Sequence, residues 1–182
     1  MVLIIIYFTS DLHFCHSNII KLSKRPFKNV EEMNNTLVQN WNSCISDDDE
    51  VYVLGDFSYR GSVQEVNTIL KKLKGKKYLI KGNHDGFIND KAFDSKAFEW
   101  IRDYHILSYK EINLVLFHYP ILEWQGFFGD SLHLYGHVHN STKDEKQRKR
   151  LDILGSRAIN VGVDVNDYHP ISIERLIKKS FG

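Results

Sequence analysis

The sequence predicts an α/β fold in which buried β-strands alternate with amphipathic helices. Three short apolar runs, rich in β-branched and aromatic residues, are typical of strands at residues 2–8, 51–54 and 77–80. Helical spacing of apolar residues lies between them, at residues 30–45 and 62–73. This strand–helix–strand–helix–strand order implies a largely parallel sheet with right-handed crossovers.

The boundaries of these helices carry residues suited to helix ends. Asn29 precedes the first helix as a candidate N-cap, because its side-chain oxygen can accept a free backbone N–H. Gly75 follows the second helix and indicates its end. Both signals support the two helices proposed from periodicity.

The second half of the chain has a different pattern. Strands are predicted at residues 112–117, 131–135 and 158–163, followed by a short closing helix at 172–179. The basic run at 142–151 is interpreted as a solvated loop or hairpin tip rather than a nucleic-acid contact. No repeat or Pro/Gly/Ser linker divides the chain, so a single domain over residues 1–182 is expected.

Composition narrows the class of protein without identifying its partners. A hydrophobic content of 42% with 26% charged residues is ordinary for a globular protein, and a net charge of +1 gives no evidence for nucleic-acid binding. The apolar start has neither the form of a signal peptide nor the length of a membrane span. The two cysteines suggest no disulfide framework, so we expect a cytoplasmic protein with no membrane partner.

Potential metal ligands follow five of the predicted strands. Ligand sites in open α/β sheets lie at the carboxyl ends of strands, so these side chains are expected at one edge. Residues two apart in an extended segment point the same way, which lets an Asp-x-His or His-x-His pair face one ion. The candidate ligands and their neighbours are Asp11, His13, Asp56, Asn83, His84, Asp85, His118, His137 and His139.

The ligand chemistry indicates two metal ions rather than one. Carboxylate, amide and imidazole groups without thiolate suit Mn, Fe or Zn better than calcium or a structural cysteine-type zinc site. The donors are too many for one ion, so one carboxylate is expected to bridge two. Packing alone is a poor explanation for five such elements in order, because buried Asp and His without partners cost several kcal/mol each.

This series of motifs resembles the calcineurin-like metallophosphoesterase superfamily, and small bacterial and phage members in particular. The resemblance implies a four-layer α/β fold with two mixed β-sheets packed as a sandwich and flanked by helices. It implies two divalent ions, with Mn, Fe or Zn favoured and Mg or Ni as alternatives. The motifs are Asp11-x-His13, Gly55-Asp56, Gly82-Asn83-His84-Asp85, His118 and Gly136-His137-x-His139.

The resemblance also assigns roles to these residues. One metal would be held by Asp11, His13, Asp56 and His139. The second would be held by Asp56, Asn83, His118 and His137, with Asp56 bridging. His84 would lie beside the leaving-group oxygen as the catalytic general acid.

One motif departs from the protein-phosphatase branch, which has Gly-Asp-x-x-Asp-Arg-Gly. Here Arg60 matches the phosphate-binding arginine, whereas Tyr59 replaces the aspartate that orients the catalytic histidine. Asp85 or a backbone carbonyl is then a candidate to orient His84. Three residues are expected to contact the substrate: Arg60, Asn83 and His16. Arg60 is also expected to take part in catalysis.

Other residues have open or structural interpretations. Asn18 is either a phosphate contact or a helix cap, and Arg25 is predicted to lie on the surface. An aromatic loop is either a satellite core, which is slightly favoured, or a lip that stacks a base. The loop residues are Tyr119, Trp124, Phe127 and Phe128. The residues expected to be structural or on the surface are His105, His133 and His169.

The predicted function is hydrolysis of phosphodiester bonds in small or nucleotide substrates by a metal-bridging hydroxide. A phosphomonoesterase using the same site is the main alternative. A nuclease is less favoured, because the chain leaves little room for a capping domain. A non-catalytic scaffold is disfavoured, because every core metal position and His84 are intact. The expected partner is a small phosphoester, and no oligomeric state is predicted.

Overall fold

The computed structural model describes residues 3–140 and 145–181, which form two β-sheets with flanking helices. The strands are β1 (Ile6–Thr9), β2 (Glu50–Leu54), β3 (Lys76–Ile80), β4 (Trp100–Arg102), β5 (Tyr104–Tyr109), β6 (Ile112–Phe117), β7 (Ser131–Tyr135), β8 (Ala158–Asn160) and β9 (Ile171–Ser172). The α-helices are α1 (Ser17–Leu22), α2 (Val30–Cys44), α3 (Val63–Lys72), α4 (Glu145–Asp152) and α5 (Ile173–Phe181).

Both sheets are mixed, as predicted. The first has the order β4-β3-β2-β1-β9, in which β1 to β4 are parallel and β9 pairs antiparallel with β1. The second has the order β5-β6-β7-β8, in which β5 is antiparallel to β6 and the other pairs are parallel. The predicted parallel arrangement of the first three strands is therefore confirmed.

Alternation along β2 explains how the sheets and helices are layered. Val51 and Val53 belong to the apolar cluster shared with α2 and α3. Tyr52 and Leu54 point the opposite way, into a cluster shared with the second sheet. A strand that is apolar on both faces is thus covered by helices on one side and by a sheet on the other.

The contact between the sheets aligns their strand ends. Phe8 from the first sheet packs in one buried cluster with Leu116 and Leu134 of the second. Beyond the strands, Ser10 forms a parallel bridge with Gly162, which follows β8. The loops that leave the carboxyl ends of β1, β2, β3, β6 and β7 therefore share one edge of the molecule.

The two predicted helices form with the expected ends. Asn29 caps α2, and its side-chain oxygen accepts the Glu32 backbone N–H at 2.8 Å. Ser62 caps α3 in a capping box with Glu65, whose carboxylate accepts the Ser62 backbone N–H at 2.8 Å. Both helices lie within one or two residues of their predicted ranges.

The predicted loop at 142–151 is wrong for most of its length, because α4 occupies Glu145–Asp152. The first residues of that prediction, 142–144, lie outside the described residues. The segment is composed of strong helix formers, and Lys149 contacts Glu145 at 2.8 Å as an i,i+4 ion pair. It lacks the apolar stripe on which the periodicity argument depends.

Besides α4, three short strands and the helix α1 were not predicted. The mixed burial of β4 and β5 gives no regular alternation, and β9 and α1 have only two and six residues. The strand expected at 158–163 is shorter, since β8 ends at Asn160. The strand expected at 2–8 is also shorter, since β1 begins at Ile6 and ends at Thr9, and residues 3–5 are not part of it. Residue 2 lies outside the described residues.

Two further expectations concern membranes and cysteines. None of the helices in the described ranges is long and apolar enough to cross a membrane. Cys15 and Cys44 are both free thiols.

The cap of α2 gives a stability prediction. Asn29→Ala removes the acceptor for the Glu32 N–H, so we expect the free energy of unfolding to fall by about 0.5–2 kcal/mol. Urea denaturation measures the change. Asn35→Ala makes the same substitution on the exposed face of α2 and should change stability by less than about 0.5 kcal/mol. Equal effects of the two variants would contradict the capping role.

Candidate metal centre

The predicted ligands converge where the carboxyl ends of the two sheets meet. Backbone hydrogen bonds connect the loops that carry them: Asp11 N donates to Gly55 O at 3.0 Å, and Gly136 N donates to His118 O at 2.9 Å. The structure thus brings together residues from the ends of β1, β2, β3, β6 and β7. They are Asp11, His13, Asp56, Asn83, His118, His137 and His139.

The first cluster contains Asp11, His13 and His139, and their ligand atoms all lie within 4.8 Å of one another. The Asp11 side chain is buried and accepts the Ser10 hydroxyl at 2.6 Å. It also accepts the backbone N–H of His137 at 3.0 Å, from the other sheet. These donors hold the carboxylate toward the two histidine rings.

The second cluster contains Asp56, His118 and His137, with the same 4.8 Å limit between ligand atoms. His118 Nδ1 lies 2.8 Å from the Leu54 carbonyl oxygen, to which it must donate. In a neutral ring Nε2 then carries the lone pair, and it faces Asn83 Oδ1 at 3.1 Å. Two acceptors in contact are stabilised by a cation between them.

The Asp56 carboxylate lies between the clusters. Its Oδ2 is 3.4 Å from His13 Nε2, 3.6 Å from His118 Nε2 and 4.0 Å from His84 Nε2. Its Oδ1 accepts the His84 backbone N–H at 2.9 Å. One oxygen is therefore fixed by the backbone, while the other is directed at histidines from both clusters.

The orphaned nitrogen of His13 tests whether this arrangement suits a metal. Its Nε2 is buried without a hydrogen-bond partner, a property shared among the described residues only with Thr9 Oγ1. Burial, reinforced by His139, strongly lowers the pKa of His13, so the ring is neutral. A buried neutral imidazole nitrogen aimed at carboxylates fits a divalent cation with oxygen and nitrogen ligands.

The backbone around these ligands is unusual. Asp11, His13, Asp56, His137 and His139 all have positive φ, between 48° and 70°. This left-handed region is sparsely populated by residues other than glycine, and such residues cluster at functional sites. Asp11 and His13 both face the first cluster, whereas Leu12 between them packs in the hydrophobic core.

Glycine is required where two of these loops cross. A Cβ atom at Gly82 would overlap the carboxylate of Asp56, and one at Gly136 would overlap Ser10 Oγ. Both glycines immediately precede candidate ligands, as the sequence indicates. Their role is to let one loop approach the carboxylate of another.

Comparison with known proteins agrees with this geometry. A family model described as calcineurin-like phosphoesterase matches residues 4–137. The chain belongs to this family. The matched region contains six of the seven candidate ligands, and His139 lies two residues beyond it.

Three relatives are similar to this chain over most of their length. MJ1445 of Methanocaldococcus jannaschii is 36% identical over 177 residues, covering 95% of this chain and 89% of that protein. The gene 66 protein of Mycobacterium phage L5 is 26% identical over 184 residues, covering 87% of this chain and 86% of that protein. The crystal structure of AQ665 from Aquifex aeolicus has 33% identity and a TM-score of 0.76, covering 97% of this chain and 99% of that one.

The Asp85 carboxylate is bound to the backbone and does not orient His84. Its carboxylate accepts three backbone N–H groups, from Asp56 at 2.9 Å, Phe57 at 2.8 Å and Gly82 at 2.8 Å. Asp85 therefore clamps the loop after β2 to the loop after β3. The suggestion that it replaces the missing aspartate is wrong.

Tyr59 contacts His84 through its ring. The ring centroids of Tyr59 and His84 are 4.3 Å apart, and Tyr59 also meets the ring of His16 at 4.6 Å. His16 Nδ1 lies 3.3 Å from His13 Nδ1, and His16 is buried. Aromatic packing restrains His84, whose side chain is 32% exposed and therefore accessible to a substrate.

Arg60 is exposed and borders a cleft beside His84. The guanidinium carbon lies 5.1 Å from the centroid of the Tyr59 ring, close enough for a cation–π contact. Arg60, His84 and Asp90 line the same cleft, which has a volume of about 370 Å³. The predicted phosphate-binding arginine and the predicted general acid thus share one opening.

Arg25 corrects a sequence prediction, because it is buried rather than on the surface. Its guanidinium contacts the Asp164 carboxylate at 2.9 Å, and Asp164 Oδ2 in turn accepts a hydrogen bond from His139 Nδ1 at 2.7 Å. Sequence reasoning missed Asp164 as a site residue. A signal existed, since Asp164 directly follows the strand predicted at 158–163, as the other candidate ligands follow theirs.

The aromatic loop divides between core and surface. Trp124 is 6% exposed and packs on His133, whereas Phe128 is 90% exposed. Tyr119 packs against the rings of His118 and His137, with centroids 4.9 and 4.7 Å away. The core interpretation holds for Trp124, and Tyr119 lies beside the candidate ligands.

The remaining histidines and Asn18 lie outside the two clusters. His133 is buried between the carbonyl oxygens of Val115 and Tyr119, so its structural role is confirmed. The others contact neighbouring groups: His105 lies against Arg102, and His169 against the Asp167 carbonyl. Asn18 lies inside α1 and is exposed, so the cap interpretation is wrong.

The Asp85 clamp gives a second prediction. Asp85→Asn places an NH₂ group against at least one of three backbone donors, and an unpaired buried donor costs about 1–3 kcal/mol. We expect the free energy of unfolding of the metal-free protein to fall by that amount in urea denaturation. Asp103→Asn alters an exposed ion pair with Lys81 and should cost less than about 1 kcal/mol. An unchanged urea midpoint for Asp85→Asn would refute the clamp.

Proposed function

We propose that this phosphoesterase is a dinuclear metal-dependent enzyme that hydrolyses phosphodiester bonds of small or nucleotide substrates. The observation that carries the proposal is the position of Asp56 Oδ2, 3.4 Å from His13 Nε2 and 3.6 Å from His118 Nε2. A carboxylate oxygen shared between two groups of ligands suits two cations held close together.

Each ion would have four protein ligands. The ligands of the first would be Asp11, His13, Asp56 and His139. Those of the second would be Asp56, Asn83, His118 and His137. The mixture of oxygen and imidazole nitrogen favours Mn, Fe or Zn, with Mg or Ni as alternatives.

The chain's own groups divide the remaining chemistry. When bound, the ions would polarise a phosphate oxygen and make a water molecule acidic enough to supply the attacking oxygen. His84, accessible at the cleft, would donate a proton to the leaving oxygen. Arg60 would offset charge on the non-bridging oxygens. His16, which packs on Tyr59, and Asn83, which lines a neighbouring cleft, would also contact the substrate.

Two tyrosines support the preference for diesters. Tyr119 packs on His118 and His137 and is 37% exposed, while Tyr59 packs on His84. Tyr59 and Tyr119 therefore provide aromatic surface on two sides of the candidate metal ligands. A phosphodiester carries an organic group on each of two ester oxygens, and each group could pack on one of these rings. Stacking on a base contributes about 1–3 kcal/mol, which is enough to favour a nucleotide.

A phosphomonoesterase is the second candidate, and the charge of Arg60 favours it. A monoester dianion presents more negative charge to a guanidinium than a diester does. A long nucleic acid would require several phosphate contacts, which the net charge of +1 does not favour. We also propose a cytoplasmic setting, which the two free thiols support.

The substrate preference is tested with the metal-loaded protein. We expect kcat/KM for bis-nitrophenyl phosphate and for cyclic nucleotides to exceed that for nitrophenyl phosphate. Higher activity on the monoester than on every diester would reverse the assignment. Strongly salt-dependent cleavage of single-stranded DNA would instead indicate a nuclease.

Asp56→Asn tests the shared carboxylate. The substitution keeps the shape of the side chain but removes the charge placed between the clusters, so we expect loss of turnover and fewer than two ions per chain. Elemental analysis of the purified variant measures the bound metal. Two ions per chain with normal turnover would show that Asp56 does not bridge.

His84→Ala separates proton donation from metal binding. We expect both ions to remain bound while kcat falls by about 10²–10⁴-fold. The loss should be smaller for a nitrophenolate leaving group than for an alkoxide, because a weakly basic leaving group needs no proton. The same loss for both leaving groups would argue against His84 as the acid.

A further inference from the structure

A buried ion pair lies directly behind the first cluster. The side chains of Arg25 and Asp164 are both 0% exposed, although the residues are 139 positions apart in the chain. Two hydrogen bonds connect them, from Arg25 Nε to Oδ1 at 2.9 Å and from Nη2 to Oδ2 at 3.0 Å. Such a pair is costly to bury unless its remaining donors and acceptors are also satisfied.

Arg25 uses its remaining donors on the backbone of the first metal motif. Nη2 donates to the carbonyl oxygen of Asp11 at 2.6 Å, and Nη1 donates to that of Leu12 at 2.9 Å. These two carbonyls lie in the segment that joins Asp11 to His13. The φ angle is 55° at Asp11 and 52° at His13. The guanidinium therefore supports the left-handed backbone that directs both side chains into the cluster.

Asp164 acts on the ligand from the other sheet. Its Oδ2 accepts a hydrogen bond from His139 Nδ1 at 2.7 Å, and a carboxylate can only accept, so the ring proton lies on Nδ1. In the neutral ring, the lone pair of Nε2 is then left for the cluster. Asn160 Nδ2 donates to the His139 carbonyl at 3.0 Å and fixes the backbone of the same residue.

We propose that Arg25 and Asp164 are positioning residues for the first metal site, and that the second site does not depend on them. The inference rests on the proposed two-metal function. It adds that one ion pair holds ligands from both sheets: Asp11 and His13 through the backbone, and His139 through its ring. The second cluster has separate support, since His118 donates to the Leu54 carbonyl.

A role in fold stability alone would not require these charges. Replacement of a buried ion pair by apolar residues of similar volume is often neutral or stabilising, whereas removal of one partner is not. Groups that orient metal ligands from behind typically change metal affinity by about 10–100-fold when they are lost. The double substitution Arg25→Met with Asp164→Leu therefore separates the two roles.

The experiment titrates the metal-free full-length protein with Mn²⁺ in a calorimeter. We expect the wild type to bind two ions per chain. The double variant should retain a cooperative thermal transition and bind one ion with wild-type affinity, while the other affinity falls about 10–100-fold. Wild-type affinity for both ions in the folded double variant would overturn the proposal.

Ligand variants identify which site is weakened. His139→Ala should weaken the same ion as the double variant does. The combined loss should be smaller than the sum of the two separate losses, because part of the effect of the double variant acts through His139. His137→Ala should weaken the other ion, and its effect should add to that of the double variant. Additivity with His139→Ala but not with His137→Ala would contradict the assignment to the first site.

Conservative variants keep the test decisive if the double variant does not fold. Arg25→Lys retains the charge but not the two-pronged geometry, and Asp164→Asn retains one acceptor for His139. Each should weaken one ion by a smaller factor than the double variant would. Unchanged affinity for both ions in these two variants would also overturn the proposal.

A control ion pair separates this inference from the function on which it rests. Lys81→Met with Asp103→Leu makes the same class of change at an exposed pair and should leave both Mn²⁺ affinities unchanged. A wild type that binds no Mn²⁺ would overturn the proposed function together with the inference. A wild type that binds two ions, with no effect of the Arg25 and Asp164 variants, would overturn the inference alone.

Discussion

Two carboxylates, Asp11 and Asp56, are buried where the ends of both sheets meet, and the surrounding structure compensates for their burial. An ionised carboxylate removed from water is costly unless donors or cations surround it. Backbone N–H groups of His137 and His84 supply part of that compensation. Because these donors lie in loops that follow different strands, each loop must turn back toward a carboxylate that another strand carries.

The backbone conformations of the site follow from this requirement. A loop that returns its own N–H to a carboxylate and also presents a ligand cannot remain extended, and five of the seven candidate ligands adopt positive φ instead. Where these loops cross there is no room for a Cβ atom, and this explains why Gly82 and Gly136 occupy the crossing points. The strained backbone is therefore a consequence of burying two carboxylates. The packing of the two sheets compensates for the cost of that strain.

Local patterns predict much of the architecture and of the ligand set. Alternation in β2 and helical spacing in α2 depend on neighbouring residues, so they are visible in the sequence. The candidate ligands are recognisable because each follows a strand pattern. The helix α4 and the short strands β4 and β5 were missed because they lack a regular apolar face.

Contacts between distant parts of the chain account for the remaining errors. Nothing near Arg25 in the sequence indicates that Asp164 will meet it inside the protein. Likewise, the carboxylate of Asp85 could be assigned to His84 or to the backbone until the loops were assembled. These are properties of tertiary packing, for which adjacent residues carry little information.

The bond between Asp11 and the backbone of His137 joins residues 126 positions apart and spans the two sheets. During synthesis, the candidate ligands that follow β1, β2 and β3 leave the ribosome long before the segment that follows β7. The emerging amino-terminal portion therefore exposes an acidic, incomplete edge until the later strands arrive. Contacts between residues this far apart raise the contact order of the fold, and a high contact order slows folding.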